Sequence, residues 1–275
     1  MINISFLAIV KNEEKYISEM LSSILAFDND CFGYEIIIID DHSDDETTNI
    51  IAKFQESNKN IKCFWNPGNG KVAATFYGIQ QCNSDWIKFV DGDDYLDLQY
   101  LHPKFFEGDV IIHDFWIVQG EKLRLQHSKI KNPLKFLGKG RSLPKGMFFC
   151  KKEILMSKFP PPPDMLFEDF WINYVCLTRE KITYLDKPVY FYRQHANNYY
   201  GNNDGFTYTK MTRMGDRYLD VVPKIAAQYD FVFDKDLILF ARALKQPNLS
   251  NVAKLILAPY YFAKLIYYLV KTKVR

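Results

Sequence analysis

No Cys-x-x-Cys pair occurs in the chain: its five cysteines, Cys31, Cys63, Cys82, Cys150 and Cys176, are odd in number and widely spaced. That pattern excludes a zinc ribbon, argues against a disulfide framework and fits buried thiols in a reducing compartment. Long hydrophobic runs are also missing. No stretch reaches the roughly 18 to 20 uncharged apolar residues that span a bilayer. The first apolar run, Ile4 to Val10, is too short for a signal peptide and has neither a basic leader nor a small-residue cleavage site, so a cytoplasmic location is expected. Charge of one sign is lacking too. Lys and Arg total 35 against 33 for Asp and Glu, a formal net charge of +2, which gives no global pull toward nucleic acid. There is no internal repeat, and the one biased segment is Pro160-Pro161-Pro162-Pro163, a stiff extended link.

What is present describes a globular protein. Hydrophobic residues make up 48% of the 275 and aromatics 16%, enough for a sizeable core. The first 96 residues alternate strand and helix signals. Ile4 to Val10 is nearly all apolar, as a strand buried on both faces should be. Tyr16, Ile17, Met20, Leu21, Ile24 and Leu25 then follow helical spacing. Glu35 to Ile39 is a second buried strand, and the acidic turn Asp40-Asp41-His42-Ser43-Asp44-Asp45 offers capping side chains to a helix through Ile50, Ile51 and Phe54. A third strand, Ile61 to Trp65, breaks at Asn66-Pro67-Gly68-Asn69-Gly70. A helix through Val72, Phe76 and Ile79 leads to a fourth strand, Trp86 to Val90. Strands separated by helices of this length predict parallel βαβ crossovers in an α/β sheet.

Beyond Leu96 the pattern loosens. Val110 to Val118 and Met147 to Cys150 read as strands, and the basic, Gly-rich stretch Lys129 to Lys145 between them reads as a mobile loop. After the prolines, Leu166-Phe167-Glu168-Asp169 leads into a helix through Phe170, Trp171, Tyr174, Val175 and Leu177. Ile182 to Phe191 is a last strand, ending in Tyr192-Arg193-Gln194-His195, and the chain from about Thr207 reads as helical.

The chemistry lies at strand ends. Asp91-Gly92-Asp93-Asp94 places carboxylates at the C-terminal edge of a parallel strand, where open α/β sheets bind ligands. Carboxylates packed so closely repel unless a cation sits among them, and hard oxygen ligands select Mg²⁺ or Mn²⁺. A calcium loop fits poorly, because Leu96 stands where its Gly belongs and His102 where its closing Glu should be. Asp40-Asp41 ends the second strand on the same rim, and Asn69-Gly70-Lys71 follows the third, where the lysine could reach an anion. Three neighbouring strand ends with polar groups make one site.

Taken in order, Lys11-Asn12-Glu13-Glu14, Ile39 to Asp45, Gly70-Lys71-Val72-Ala73-Ala74, Val90 to Asp94, Phe167-Glu168-Asp169 and Tyr192 to His195 resemble the family 2 glycosyltransferases of the GT-A fold. The likeness covers roughly residues 3 to 200. It implies a Rossmann-like, mostly parallel sheet flanked by helices with a C-terminal helical extension. The expected parts are a nucleotide-sugar-binding half at 1–96, an acceptor-binding half of the same domain at 97–206 and a helical region at 207–275. Carried over residue by residue, Asp41 would bond the base, Lys71 would lie near the base or phosphates, and Asp91 would hold the ribose. Asn12, Glu13, Gly92 and His195 would complete the donor pocket, and Asp93 would ligate Mn²⁺ or Mg²⁺ across the diphosphate. Asp169 would be the catalytic base. Lys11 stands where many members carry a base-stacking aromatic. The Gln-x-x-Arg-Trp motif of processive synthases is absent, since none of Trp65, Trp86, Trp116 and Trp171 follows an arginine, so one sugar per binding event is expected.

This implies an inverting transfer from a nucleotide sugar, with UDP the expected nucleotide, to a hydroxyl of a glycan or lipid-linked saccharide. Displacement opposite the leaving group, with no covalent intermediate, inverts the anomeric centre. The metal would neutralise the departing diphosphate and the base would take the acceptor's proton. Two readings compete. One is a non-catalytic nucleotide-sugar binder of the same fold. The other is a haloacid dehalogenase-type phosphohydrolase, which wants Thr or Val where Tyr95 stands and carries its motif after the first strand rather than the fourth.

After Asp236 no acidic residue occurs, while Arg242, Lys245, Lys254, Lys264, Lys271, Lys273 and Arg275 flank two apolar segments, Leu255 to Ala263 and Leu265 to Val270. Lys264 and Lys271 share a helix face with apolar neighbours, which suits an anionic membrane surface and peripheral association on the inner face of the cytoplasmic membrane. Packing on the protein itself, or a homodimer contact, is the alternative.

Overall fold

The computed structural model describes residues 1–195, 207–255 and 258–273. They fall into two compact units. The first holds residues 1–131, 143–160 and 172–193, and the second holds 132–142, 161–171 and 194–275.

In the first unit, β1 (Ile2–Val10), α1 (Ile17–Leu25), β2 (Phe32–Asp40), α2 (Thr47–Ser57), β3 (Ile61–Trp65), α3 (Gly70–Gln81) and β4 (Trp86–Asp91) alternate. The four strands run parallel in the order β3-β2-β1-β4. Both faces of β1 and β2 are covered, which is why their sequences are almost unbroken apolar runs. Ile4, Phe6, Ala8 and Val10 join Ile36 and Ile38 in a core closed by Met20, Leu21 and Ile24 of α1 and Ile51 of α2. The alternate residues Leu7 and Ile39 meet α3, which lies so close that a Cβ on Gly78 would come within 2.6 Å of Leu7 and 2.9 Å of Ile39.

Glu35 ties the far end of this sheet together. It accepts hydrogen bonds from Ser5 Oγ (2.7 Å) on β1, Asn83 N (2.6 Å) before β4, and Lys62 Nζ (2.9 Å) on β3. Burial alone would raise the Glu35 carboxyl, but these bonds outweigh it and hold the group at about 2.

The sheet continues through β5 (Tyr95–Leu96), β6 (Val110–Gln119), β7 (Lys122–Gln126), β8 (Phe148–Lys151) and β9 (Ile182–Arg193). Its order is β3-β2-β1-β4-β8-β6-β9-β5, with β7 paired to β6. Here the pairing is mixed: β8 is antiparallel to both β4 and β6, whereas β9 is parallel to β6. The segment read as a mobile loop, Lys129 to Lys145, is structured instead. It contains α4 (Pro133–Gly138), started by Asn132 Oδ1 accepting from Lys135 N, and it ends with Lys145 at 1% exposure. Proline at the first helical position and asparagine as its cap are sufficient to begin a helix there. The helices α5 (Lys152–Met156) and α6 (Glu168–Leu177) follow.

The second unit is built on α7 (Tyr208–Tyr229), α8 (Leu237–Lys245), α9 (Leu249–Ala253) and α10 (Pro259–Lys273). Thr207 caps α7, its Oγ1 accepting from Lys210 N. Met211, Tyr218, Val221 and Ile225 of α7 are buried, as are Phe240, Ala241 and Leu244 of α8. Gly215 lets the two helices approach closely: a Cβ there would meet Ala241 O and Lys245 N at 2.7 Å. Tyr261 and Leu265 of α10 are buried, and Lys264 places its ammonium over the Phe240 ring at 5.1 Å. That lysine is therefore turned toward α8. Among the described residues no helix is long and apolar enough to cross a membrane.

Candidate active site

The parallel register sets the site. Val10 lies opposite Asp40, Asp40 opposite Trp65 and Ile9 opposite Asp91, so four strand ends share one edge. The loops leaving β1 and β2 are laced together. Asn12, with φ of 57°, donates from its backbone to Ser43 Oγ and from Nδ2 to Asp44 Oδ1 (2.7 Å), while its Oδ1 accepts from Asp44 N. Glu13 N donates to Thr47 Oγ1 (2.7 Å), and Glu14 N to Asp45 Oδ2. The N-cap of α2 is Glu46, which makes no side-chain cap bond; of the acidic turn, Asp45 Oδ1 accepts from Thr47 N.

Asp41 is buried beside this lacing. Its Oδ1 accepts from Asn66 Nδ2 (2.7 Å) and from Gly70 N (2.9 Å), the first residue of α3. Gly70 has φ of 85°, a conformation other residues adopt only with strain. Lys71 follows and reaches across the rim, its Nζ 2.8 Å from Asp91 Oδ1. The same oxygen meets the Nζ of buried Lys145 at 3.1 Å. Burial favours a protonated Asp91, but the two ammonium groups, Lys145 ahead of Lys71, reverse this and hold the carboxyl below the usual carboxylate range.

The loop after β4 is clamped from beneath. Gly92 packs against the β1 loop, where a Cβ would lie 2.8 Å from Glu13 Cγ and would force that side chain to shift. The Tyr190 hydroxyl accepts from Asp91 N (3.0 Å) and donates to Asp94 Oδ2 (2.6 Å). Asp94 Oδ1 accepts from Arg193 N (2.6 Å), and the Arg193 guanidinium donates to Asp93 O and Glu19 Oε2, both at 2.7 Å. Burial first, then Asp93 and Asp91, push Asp94 well above its usual range. Burial first, then Asp94 and Asp91, push the Tyr190 hydroxyl up, so it keeps its proton as a donor. Beneath them Lys88, fully buried, donates to His113 Nε2 (2.6 Å) and Gly146 O, and burial pushes its ammonium down.

Asp94 is thus buried in the protein, while Asp91 and Asp93 are half-buried. Glu13 stands nearby. Burial first, then Asp93 and Asp91, push its carboxyl up to about 8, with Lys71 acting in the opposite sense. Among the described residues no three His, Cys, Asp or Glu side chains converge as a metal cage. An oxygen-only donor set of this kind fits Mg²⁺ or Mn²⁺ held by one or two carboxylates together with substrate phosphates.

The first unit therefore brings together Asn12, Glu13, Asp41, Lys71, Asp91, Gly92 and Asp93 from the sequence-based set. Asp169 and His195 belong to the second unit. Asp169 is half-buried in the first turn of α6, whose following residues Phe170 and Trp171 are fully buried. His195 is half-buried two residues past β9. Lys145, Tyr190 and Arg193 join the site without having been assigned a role from sequence. Arg193 lies inside a quoted motif, but a lone lysine in a basic stretch and a tyrosine inside a strand carry no comparable signal.

A sequence model of glycosyl transferase family 2 matches residues 5–159, more than half of the chain. A Haemophilus influenzae protein, described as an uncharacterized glycosyltransferase, is 35% identical over 95 residues, which are 34% of this chain and 37% of that protein. TarS of Staphylococcus aureus, a poly(ribitol-phosphate) beta-N-acetylglucosaminyltransferase, is 28% identical over 102 residues, 37% of this chain and 18% of its own. The chain thus matches little more than a third of these curated relatives at most. In structure, TarS 1-349 in complex with UDP-GlcNAc superposes with a TM-score of 0.64 at 18% identity, covering 96% of this chain and 79% of that one. The Pyrobaculum calidifontis mannosyltransferase PcManGT, in complex with GDP-Man and Mn²⁺, gives 0.51 at 15% identity, covering 98% and 86%. These two likenesses are of fold.

Proposed function

The chain belongs to glycosyl transferase family 2, and from that premise we propose that it moves one sugar from a nucleotide-linked donor to a hydroxyl of a glycan or lipid-linked saccharide, inverting the anomeric centre. The observation that carries this reading is the shared strand edge, where Asp41 and an ion-paired Asp91 stand beside the Asp93-Asp94 turn. TarS binds UDP-GlcNAc on the same fold, which supports a UDP-linked N-acetylhexosamine as donor.

In this reading Asp41, fixed by Asn66 and Gly70 N–H, receives the base. Trp65, 56% exposed at the end of β3 and edge-on to His42 at 4.7 Å, offers an aromatic face on a rim where Lys11 is not aromatic. Asp91, kept ionised by two lysines, accepts from the ribose hydroxyls, and Lys71 can exchange toward phosphate. Asn12 and Glu13 shape the pocket wall, Gly92 allows the Glu13 loop to close on the Asp91 loop, and His195 serves the diphosphate. Asp93 would hold the divalent cation, which when bound neutralises charge on the leaving diphosphate. Asp169, in the first turn of α6, takes the acceptor's proton. Donor binding is assigned to 1–96, acceptor binding to 97–206, and peripheral contact with an anionic membrane to the region 207–275.

Thermal-shift titration with UDP, GDP, CDP and TDP, each with and without Mn²⁺, tests the donor site. A ligand that binds only the folded state raises the melting temperature as its concentration passes its dissociation constant. Metal-dependent stabilisation by one diphosphate, lost in Asp93→Ala, is expected. Absence of a shift with all four would remove the donor assignment.

A further inference from the structure

We propose that Lys139, Arg141 and Lys264, gathered around Tyr260, form a binding site for a phosphate group. The site lies within the second unit and shares no residue with the donor pocket. Arg141 donates from Nη2 to the Tyr260 hydroxyl at 2.8 Å, and Lys139 places its ammonium over the Tyr260 ring at 4.0 Å. Lys264 stands one helical turn from Tyr260 on α10, its ammonium over the Phe240 ring at 5.1 Å and within electrostatic reach of both Arg141 and Lys139. Gly140, with φ of 68° and packed against Tyr218 and Leu237, fixes the turn that holds Lys139 and Arg141 on either side of it.

Three cations this close repel one another. Burial first, then Arg141 and Lys139, push the Lys264 ammonium down to about 8, and no acid acts on it in the opposite sense. Cation–π contacts with Tyr260 and Phe240 compensate only part of that cost. A phosphate supplies what is missing: two negative oxygens for the Arg141 fork and further oxygens for the two lysines. Arg141 is exposed and Lys139 and Lys264 are half-buried, so the cluster is open to a ligand. The phosphate could be a lipid headgroup or belong to a water-soluble molecule; the chemistry recognised is the same.

The test uses the full chain with no divalent cation added. Inorganic phosphate should raise the melting temperature and lift the Lys264 titration, followed by NMR in the native protein, above about 8. Lys139→Gln/Arg141→Gln/Lys264→Gln should weaken phosphate binding by about tenfold or more, while the control Lys53→Gln/Lys59→Gln/Lys131→Gln, with the same change in charge, should bind as the native protein does. An unmoved Lys264 titration, or equal binding by both triple variants, overturns the proposal; the NMR readout decides it even if the cluster variant fails to fold. Co-sedimentation with phosphatidylglycerol vesicles, not phosphatidylcholine vesicles, and its loss in the cluster variant would identify a lipid phosphate. Phosphate binding without co-sedimentation would identify a soluble one. Neither result depends on whether a nucleotide binds at the other site.

Discussion

Lys145 carries almost no exposed surface, yet its ammonium ends on Asp91 Oδ1 at 3.1 Å. Removing a partner from a buried ion pair leaves a charge that water cannot reach. Exposed pairs matter less, because solvent screens them and the long side chain loses freedom on binding. Asp91 tests both cases at one oxygen, since Lys71, its other partner, is 52% exposed. Lys145→Met should lower unfolding stability by about 1–3 kcal/mol, whereas Lys71→Met should cost under about 1 kcal/mol. Urea unfolding of the two variants decides it; equal losses would mean that burial of Lys145 does not hold Asp91. Nothing in the sequence near Lys145 announces this role, because its burial depends on a partner 54 residues away. The same holds for Tyr190, which reads as one more aromatic in a strand and in fact bridges Asp91 and Asp94.

At the scale of elements, legibility follows burial. The strands β1 and β2 were readable because both faces are covered, so each is a nearly continuous apolar run, while β3 and β4, with Lys62 and Lys88 inside them, were readable from the turn signals that flank them. The strand β7 was not, since Lys122 to Leu125 are exposed and pair only with β6. Two-residue β5 carries no periodicity at all, and α4 hides in a stretch whose lysines and glycines read as loop. Glu35 shows how elements are joined by a residue that sequence reading treats as the polar start of a strand. It links β1, β3 and the entry to β4. Its carboxyl titrates at about 2 against an ordinary 4.5, so it contributes stability that is complete above 4.5 and lost as pH falls toward 2. Glu35→Gln should therefore be less stable than the native protein at neutral pH, and the gap should close as the pH falls to about 3 and below. A gap that stays constant with pH would assign the loss to packing rather than to charge. Urea midpoints across that range are the measurement.

For the molecule as a whole, the residues proposed to act are shared between the two units. Every donor-site residue described on the strand edge lies in the first unit, and Asp169 lies in the second. The motif order that identified the family ran through both, which is why the sequence pointed to a donor site and a base together, though only the strand edge could be assembled from βαβ logic. If Asp169 is the base, it acts on the acceptor hydroxyl and contributes nothing to holding the nucleotide. Asp169→Asn keeps the size and most hydrogen bonds of the side chain but cannot take a proton. It should abolish sugar transfer while leaving stabilisation by the nucleoside diphosphate and Mn²⁺ at the native value. Asp93→Ala should lose both, because the diphosphate then lacks the group that would hold its cation. The pair of variants separates binding from chemistry: joint loss in Asp169→Asn would make that residue part of the donor pocket, and full activity would send the search for the base elsewhere in the second unit. A residual rate that rises with pH in Asp169→Asn would show hydroxide doing, inefficiently, what the carboxylate is proposed to do.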